Sequence, residues 1–125
     1  MKKEIKSDLA PAAIGPYSQA IVANGLCFVS GQLGIDPATG KMVSDKVEEQ
    51  AEQVFKNIKV ILKEAGLQLD DAVKVTVFLS DMGDFAKVNE VYAKHFSAPY
   101  PARCAYAVKG LPANGLVEID VIAAL

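Results

Sequence analysis

Lysine and arginine together make up 13 of the 125 residues, and Arg103 is the only arginine. It stands in Pro99-Tyr100-Pro101-Ala102-Arg103-Cys104-Ala105-Tyr106, between prolines and a stretch that can be extended. Lysine supplies the other twelve of these 13, so surface solubility does not account for this guanidinium. A guanidinium differs from an ammonium in its planar fork, which grips a carboxylate through two parallel hydrogen bonds. Arg103 is therefore a candidate clamp for a small acid. The alternative is a structural ion pair with an internal Asp or Glu.

Other groups could do chemistry in the segments Val117–Ile122, Gly15–Gln19 and Ser30–Gln32. Val117, Ile119 and Val121 form an apolar row on a terminal strand, and Glu118 and Asp120 point to its opposite face together with Ile122. Carboxylates so placed lie on a wet face, serve as a counter-ion to an arginine, or belong to a site where one of them orients or deprotonates water. Gly15-Pro16-Tyr17-Ser18-Gln19 sets a phenol between a turn and a strand, as a ligand contact or as an ordinary half-buried tyrosine. Ser30-Gly31-Gln32 ends a strand in polar groups beside a glycine, which suits close backbone approach to a ligand and equally a plain strand exit. His95, the one histidine, falls at a helix end, where imidazolium interacts favourably with the macrodipole. No Ser-His-Asp or Cys-His set can be assembled around it, and no phosphate loop or dinucleotide fingerprint is present.

The elements that must position these groups follow from periodicity. Ala20–Ala23 and Leu26–Ser30 flank Asn24-Gly25, the preferred pair for a tight type I′ turn, and predict a hairpin over 20–31. Residues 10–16 and 34–41 are rich in proline and glycine and predict loops. Ala51, Val54, Phe55, Ile58, Ile61, Leu62 and Ala65 recur at helical spacing, with Glu52, Lys56, Lys59 and Lys63 on the wet face. Ser44 or Asp45 is the candidate cap, Asp45 having capping-box spacing to Glu48, and Gly66 sits where a left-handed residue ends a helix. Ala72–Leu79 predicts a strand with Val73, Val75, Val77 and Leu79 on one face. A second helix, capped by Asp84, carries Phe85, Val88, Tyr92 and Phe96 and stops before Pro99. Residues 103–108 and 116–124 are the last strands, joined by a loop over 109–115. The order β-β-α-β-α-β-β predicts one α+β domain over residues 1–125, a two-layer sandwich of two helices on one face of a mostly antiparallel sheet. If the other face is partly apolar it needs a partner, and a symmetric oligomer supplies one.

Charge narrows the function classes. The net charge is -2 and the sequence pI is about 5.3, with no basic run longer than Lys2-Lys3. Nucleic-acid binders carry a basic stripe that displaces counterions from phosphates, so nucleic acid is not the expected partner. Cys27 and Cys104 form no disulfide framework and no metal-ligand spacing, and both read as small buried hydrophobes. Met1–Asp8 alternates in charge without the apolar region of a signal peptide, and no apolar run approaches membrane-spanning length. A reducing cytoplasm is the expected compartment, with no membrane partner.

Five segments then fall into register with one family: Ala13–Ala20 (Ala-Ile-Gly-Pro-Tyr-Ser-Gln-Ala), Val29-Ser30-Gly31-Gln32, Phe85–Tyr92, Pro101-Ala102-Arg103 and Val117-Glu118-Ile119. Together they resemble the RidA family of reactive-intermediate deaminases, also called YjgF or liver perchloric-acid-soluble proteins. The resemblance implies a chorismate-mutase-like α+β fold and a homotrimer with sites in the clefts between subunits. It implies hydrolysis of 2-iminobutanoate and 2-iminopropanoate, with their enamine tautomers, to 2-keto acids and ammonia, which protects PLP enzymes from the enamine. It implies no cofactor and no metal. By the same resemblance Arg103 holds the substrate carboxylate, Glu118 positions and helps activate the hydrolytic water, Tyr17 lies over the ligand, and Ser30 and Asn89 line the cleft. Many members carry a cysteine two residues after the arginine. Here that place is Ala105, which can offer a ligand only its backbone, and Cys104 faces away on an extended strand. A trimer that binds a 2-keto acid and regulates without chemistry uses the same clamp. An RNA-cleaving or translation-inhibiting protein is the third reading, and the acidic charge balance opposes it.

Overall fold

The structure, a computed structural model, describes residues 1–125. It opens on a short strand, β1 (Lys3–Ile5), hidden in the sequence by the alternating charge of the N-terminus. β1 pairs antiparallel with β2 (Ala20–Ala23), which turns through Asn24-Gly25 into β3 (Leu26–Leu33). Asn24 has φ 52° and Gly25 φ 77°, the left-handed pair that a type I′ hairpin requires. The stretch expected as a loop instead forms a small hairpin of β4 (Ile35–Asp36) and β5 (Lys41–Met42).

Helix α1 (Val47–Glu64) buries the predicted stripe, including Ala51, Val54, Phe55, Ile58, Ile61 and Leu62. Neither candidate residue caps it. The N-cap position is Lys46, without a side-chain bond, and the Ser44 hydroxyl accepts the Lys46 N–H at 3.1 Å just outside the helix. Glu48 and Glu49 in the first turn complement the macrodipole instead. The helix ends as Gly66 predicts. Gly66, at φ 75°, donates its N–H to the Lys63 carbonyl at 3.0 Å, and the Leu67 N–H bonds the Leu62 carbonyl at 2.9 Å. Those two bonds are the Schellman pattern.

β6 (Ala72–Leu79) buries Val75, Val77 and Leu79 but exposes Val73. Its pairing with the last strand slips between Ala72 and Lys74, and this irregularity turns Val73 outward from the face its alternation predicts. α2 (Phe85–His95) follows a single turn of 3₁₀ helix over Met82–Asp84. Asp84 makes no capping bond; Asp81 accepts the Gly83 N–H at 2.8 Å and starts the turn. β7 (Ala102–Ala107) and β8 (Val117–Ala124) complete a six-stranded sheet in the order β1-β2-β3-β8-β6-β7. Only β6 and β7 run parallel. The layers are those the element order predicts: two helices on one face of a mixed, mostly antiparallel sheet.

The core lies between the layers, where α1 and α2 meet Val29 of β3, Val117, Ile119 and Val121 of β8, and Val75 and Val77 of β6. Each large aliphatic buried there contributes roughly 1.5–3 kcal/mol. Cys27 joins this core, but Cys104 is exposed on the edge strand β7, against expectation. Strand alternation assigns the even positions of β7 to the uncovered face, so the apolar surroundings of Cys104 in sequence are not surroundings in space.

Close approach fixes one glycine. A Cβ on Gly34 would lie 2.7 Å from Gln50 Cα and 2.8 Å from the Gln50 carbonyl oxygen, a backbone obstacle that cannot rotate away. Gln50 is itself buried, with its amide bonded to the Ser44 carbonyl and the Leu116 N–H. Gly34→Ala is expected to push α1 off the β3–β4 corner, cost about 1–3 kcal/mol, and lower the melting temperature in a thermal denaturation scan.

The face of the sheet away from the helices has no cover within the chain. Register places Phe28 beside Ile122, Glu118 beside Phe78, and Phe78 beside Tyr106 on it. The Phe78 and Tyr106 rings meet edge-on at 5.5 Å, and Phe28 and Tyr106 remain 41% and 46% exposed.

Candidate functional site

Arg103 sits beside Val75 across the parallel β6–β7 ladder, so its side chain leaves the sheet on the helix side, at the open edge. There it meets α2. The guanidinium donates from Nη1 to Asn89 Oδ1 at 2.7 Å. Its Cζ lies 4.7 Å from the Tyr92 ring centroid and 5.4 Å from that of Phe85. Phe85, Asn89 and Tyr92 are spaced i, i+4, i+7 and share one side of the helix. No carboxylate of the same chain lies within salt-bridge distance of Arg103; the one such contact in the chain is between His95 Nε2 and Glu52 Oε1 at 2.5 Å. A solvent-open hollow of about 470 Å³ adjoins it, lined by Asn89, Tyr92, Ala93, Tyr100, Pro101 and Arg103. Ala105, half-buried and beside Val77, lies on the same side of β7. Cys104 lies on the other side, with its sulfur 3.6 Å from Lys74 Nζ.

Glu118 projects from β8 into the uncovered face, in register with Leu33 of β3 and Phe78 of β6. It is half-buried. Burial pushes its carboxyl above the usual glutamate range, and the Asp120 carboxylate acts in the same direction. Gly31 falls where the β3–β8 pairing slips between Val29 and Gln32. A Cβ there would lie 2.9 Å from Glu118 Cδ, so the group for which Gly31 leaves room is this carboxyl. Next to it, the Ser30 hydroxyl donates to the Ser18 carbonyl at 2.6 Å, and the Ser30 N–H donates to the Gln19 carbonyl at 2.9 Å. The buried Gln19 amide ties the same segment to Ser7 and Pro11. These bonds hold the loop that presents Tyr17, itself 52% exposed. Tyr17 and Gly31 line a second hollow of about 280 Å³.

The six candidate residues thus fall into two groups. Arg103, Asn89 and Ala105 belong to the α2–β7 edge, and Tyr17, Ser30 and Glu118 to the uncovered face and its border. Glu118 is level with Tyr106, two strands away and three residues along from Arg103. That offset is about 14 Å between Cα atoms, with the side chains on opposite sides of the sheet. His95 takes its place at the end of α2, but it is mostly buried, stacked on Phe55 at 4.5 Å and paired with Glu52, so it clips α2 to α1. Two features escaped the motif reading: the Phe85–Tyr92 bed under the guanidinium and the seat that Gly31 leaves for Glu118. The i, i+4, i+7 spacing carries the first. The second joins residues far apart in sequence and has no local signal. No group of three or more His, Cys, Asp or Glu side chains is placed to hold a metal ion, and no helix is long and apolar enough to cross a membrane.

Residues 7–125 match the family model described as Endoribonuclease L-PSP. The chain belongs to this family, that of the RidA proteins. Among its RidA relatives, Reactive Intermediate Deaminase A, chloroplastic, from Arabidopsis thaliana is 56% identical over 126 residues, covering 100% of this chain and 67% of that protein. The 2-iminobutanoate/2-iminopropanoate deaminase of Bos taurus is 50% identical over 123 residues, covering 98% and 90%. Solved RidA structures superpose closely. RidA from an Antarctic Psychrobacter gives a TM-score of 0.94 at 48% identity, covering 98% of this chain and 99% of that one. TdcF of E. coli with bound serine gives 0.91 at 40% identity, covering 98% of each. The fold is the chorismate-mutase-like sandwich of these RidA structures.

Proposed function

We propose that this protein hydrolyses the C=N bond of small α-imino acids, 2-iminobutanoate and 2-iminopropanoate, to 2-keto acids and ammonia. The observation that carries the reading is the guanidinium of Arg103. It is fixed by Asn89, free of any carboxylate in its own chain, and open to a hollow. Arg103 takes the substrate carboxylate. Ala105 offers backbone groups beside it, and Tyr17 and Ser30 border the cleft near Glu118. Glu118 takes a proton from water as the water oxygen bonds to the carbon of the N-protonated imine, whose C=N π pair moves onto nitrogen, giving a neutral carbinolamine. Glu118 returns that proton to nitrogen, the C–N bond breaks with its electron pair leaving as ammonia, and the hydroxyl gives its proton to the Glu118 carboxylate as the C=O of the keto acid forms. The imine already reacts with water unaided, so positioning and one carboxylate suffice, without a covalent nucleophile. The deaminase names of relatives at about half identity support this reading, and so does a solved relative holding serine, an α-amino carboxylate of matching size.

The site is shared between copies of the chain. An imino acid of four carbons is no larger than one amino acid and cannot touch Arg103 and Glu118 of the same chain across the sheet. The uncovered face, with Phe28, Phe78 and Tyr106, is the surface on which a second copy packs. A closed homotrimer of residues 1–125 then brings the Arg103 edge of one subunit to the Glu118 face of the next. Reassembling Arg103→Ala with Glu118→Gln tests this. Each variant alone is inactive. Random mixing about a closed ring leaves both intact residues at about a quarter of the sites, so about a quarter of the parent rate returns in a dehydratase-coupled keto-acid assay. A mixture as inactive as its parts refutes the shared site. The same coupled assay separates the deaminase from a keto-acid sensor, which shifts its melting temperature with ligand but does not accelerate keto-acid release.

A further inference from the structure

We infer that Tyr92 is a positioning residue for the Arg103 clamp, and that it acts through its ring face rather than its hydroxyl. The inference rests on the reading of Arg103 as the carboxylate holder.

An arginine on an edge strand is a flexible arm, and one that must wait for its ligand gains from being held flat beforehand. Three side chains from one side of α2 do this. Asn89 accepts a single Nη1 proton at 2.7 Å, Tyr92 lies under Cζ at 4.7 Å, and Phe85 flanks it at 5.4 Å. A guanidinium has five N–H donors, so a hydrogen bond to Asn89 and contact with π-faces leave most of the fork available. The ring bed is rigid. Tyr92 is 5% exposed and packs against Phe96 at 4.4 Å and Phe55 at 6.1 Å between centroids. Its hydroxyl is buried and bonds no polar group of its own chain, so it holds neither Arg103 nor Asn89 in place. Burial raises the phenol pKa, Arg103 opposing, so the ring meets the cation as a neutral π-face and not as a phenolate.

Because Arg103 is the only arginine, its Nε–H gives one arginine signal in a ¹⁵N NMR spectrum, identified by its absence from Arg103→Lys. The parent protein and Tyr92→Phe are expected to show that signal ring-shifted and with slowed rotation about Nε–Cζ. Tyr92→Leu is expected to lose both properties. Tyr92→Phe should retain 2-oxobutanoate affinity, while Tyr92→Leu weakens it about ten-fold through KM rather than kcat. In an Arg103→Ala background Tyr92→Leu should change nothing further, an outcome a merely structural role does not produce. Tyr92→Met, apolar and of similar length, replaces the leucine variant if that fails to fold. An unshifted parent signal, a parent-like signal in Tyr92→Leu, or an equal loss with and without Arg103 overturns the inference. If the parent protein neither binds 2-oxobutanoate nor hydrolyses imines, the functional reading fails, and the arginine signal still decides the role of Tyr92.

Discussion

Glu118→Gln is expected to lower turnover of 2-iminobutanoate by about 10²–10⁴-fold, the range for a positioned general base, with KM nearly unchanged. Glutamine keeps the shape that fills the space above Gly31 but cannot take a proton from water. The same substitution is expected to raise stability at neutral pH. The folded-state pKa of Glu118 is raised by burial and by Asp120, so the folded protein holds this proton more tightly than the unfolded chain does. The stabilising contribution of the protonated form is fully present below the unfolded-state value. It is lost as pH rises through the folded-state value, and above that the ionised carboxylate opposes folding. Glutamine removes the opposition. The variant should therefore melt above the parent at pH 7, and its advantage should vanish below the ordinary glutamate range. Activity of the parent should fall on acidification with a midpoint above that range. Parent-like turnover in the variant removes Glu118 from the chemistry. A melting difference that does not depend on pH removes the electrostatic cause.

The contrast between these effects and the fold explains what was legible in the chain. Asn24-Gly25 specified its hairpin because a type I′ turn is decided by two residues, and the Ala51–Ala65 stripe specified α1 because its period needs no tertiary information. Arg103 and Glu118 stood out by composition and by strand alternation. The failures share one cause, which is dependence on distant partners. Val73 alternates correctly but sits at a slip in a ladder with β8. Cys104 lies in an apolar sequence yet on an uncovered face. The side of the sheet on which Arg103 emerges depends on its register with Val75, a parallel pairing that no local pattern sets. Gly31 is explained only by Glu118, which arrives from the far end of the chain. The caps failed differently: Ser44 and Asp45 offered suitable oxygens, but the helix began later, and acidic residues in its first turn met the need.

Arg103→Lys is expected to weaken 2-oxobutanoate binding and kcat/KM by about 10- to 100-fold, the worth of a charge-assisted hydrogen bond with its geometry lost. The charge is unchanged, so a clamp that worked by charge alone would lose little. Lysine offers three rotatable donors on a compact head. It cannot lie flat on Tyr92, keep Asn89, and still present two parallel donors to a carboxylate. Stability should be nearly unaffected. Breaking a buried ion pair strands its partner at a cost of about 3–5 kcal/mol, but Arg103 is exposed and pairs with no carboxylate of its own chain. Calorimetric titration with 2-oxobutanoate and a thermal scan on one preparation therefore separate the two uses of this residue. Lost affinity with a parent-like melt marks an arginine kept for a ligand. Lost stability in step with affinity marks a structural partner that the assembled subunits supply, and unchanged affinity removes Arg103 from recognition altogether.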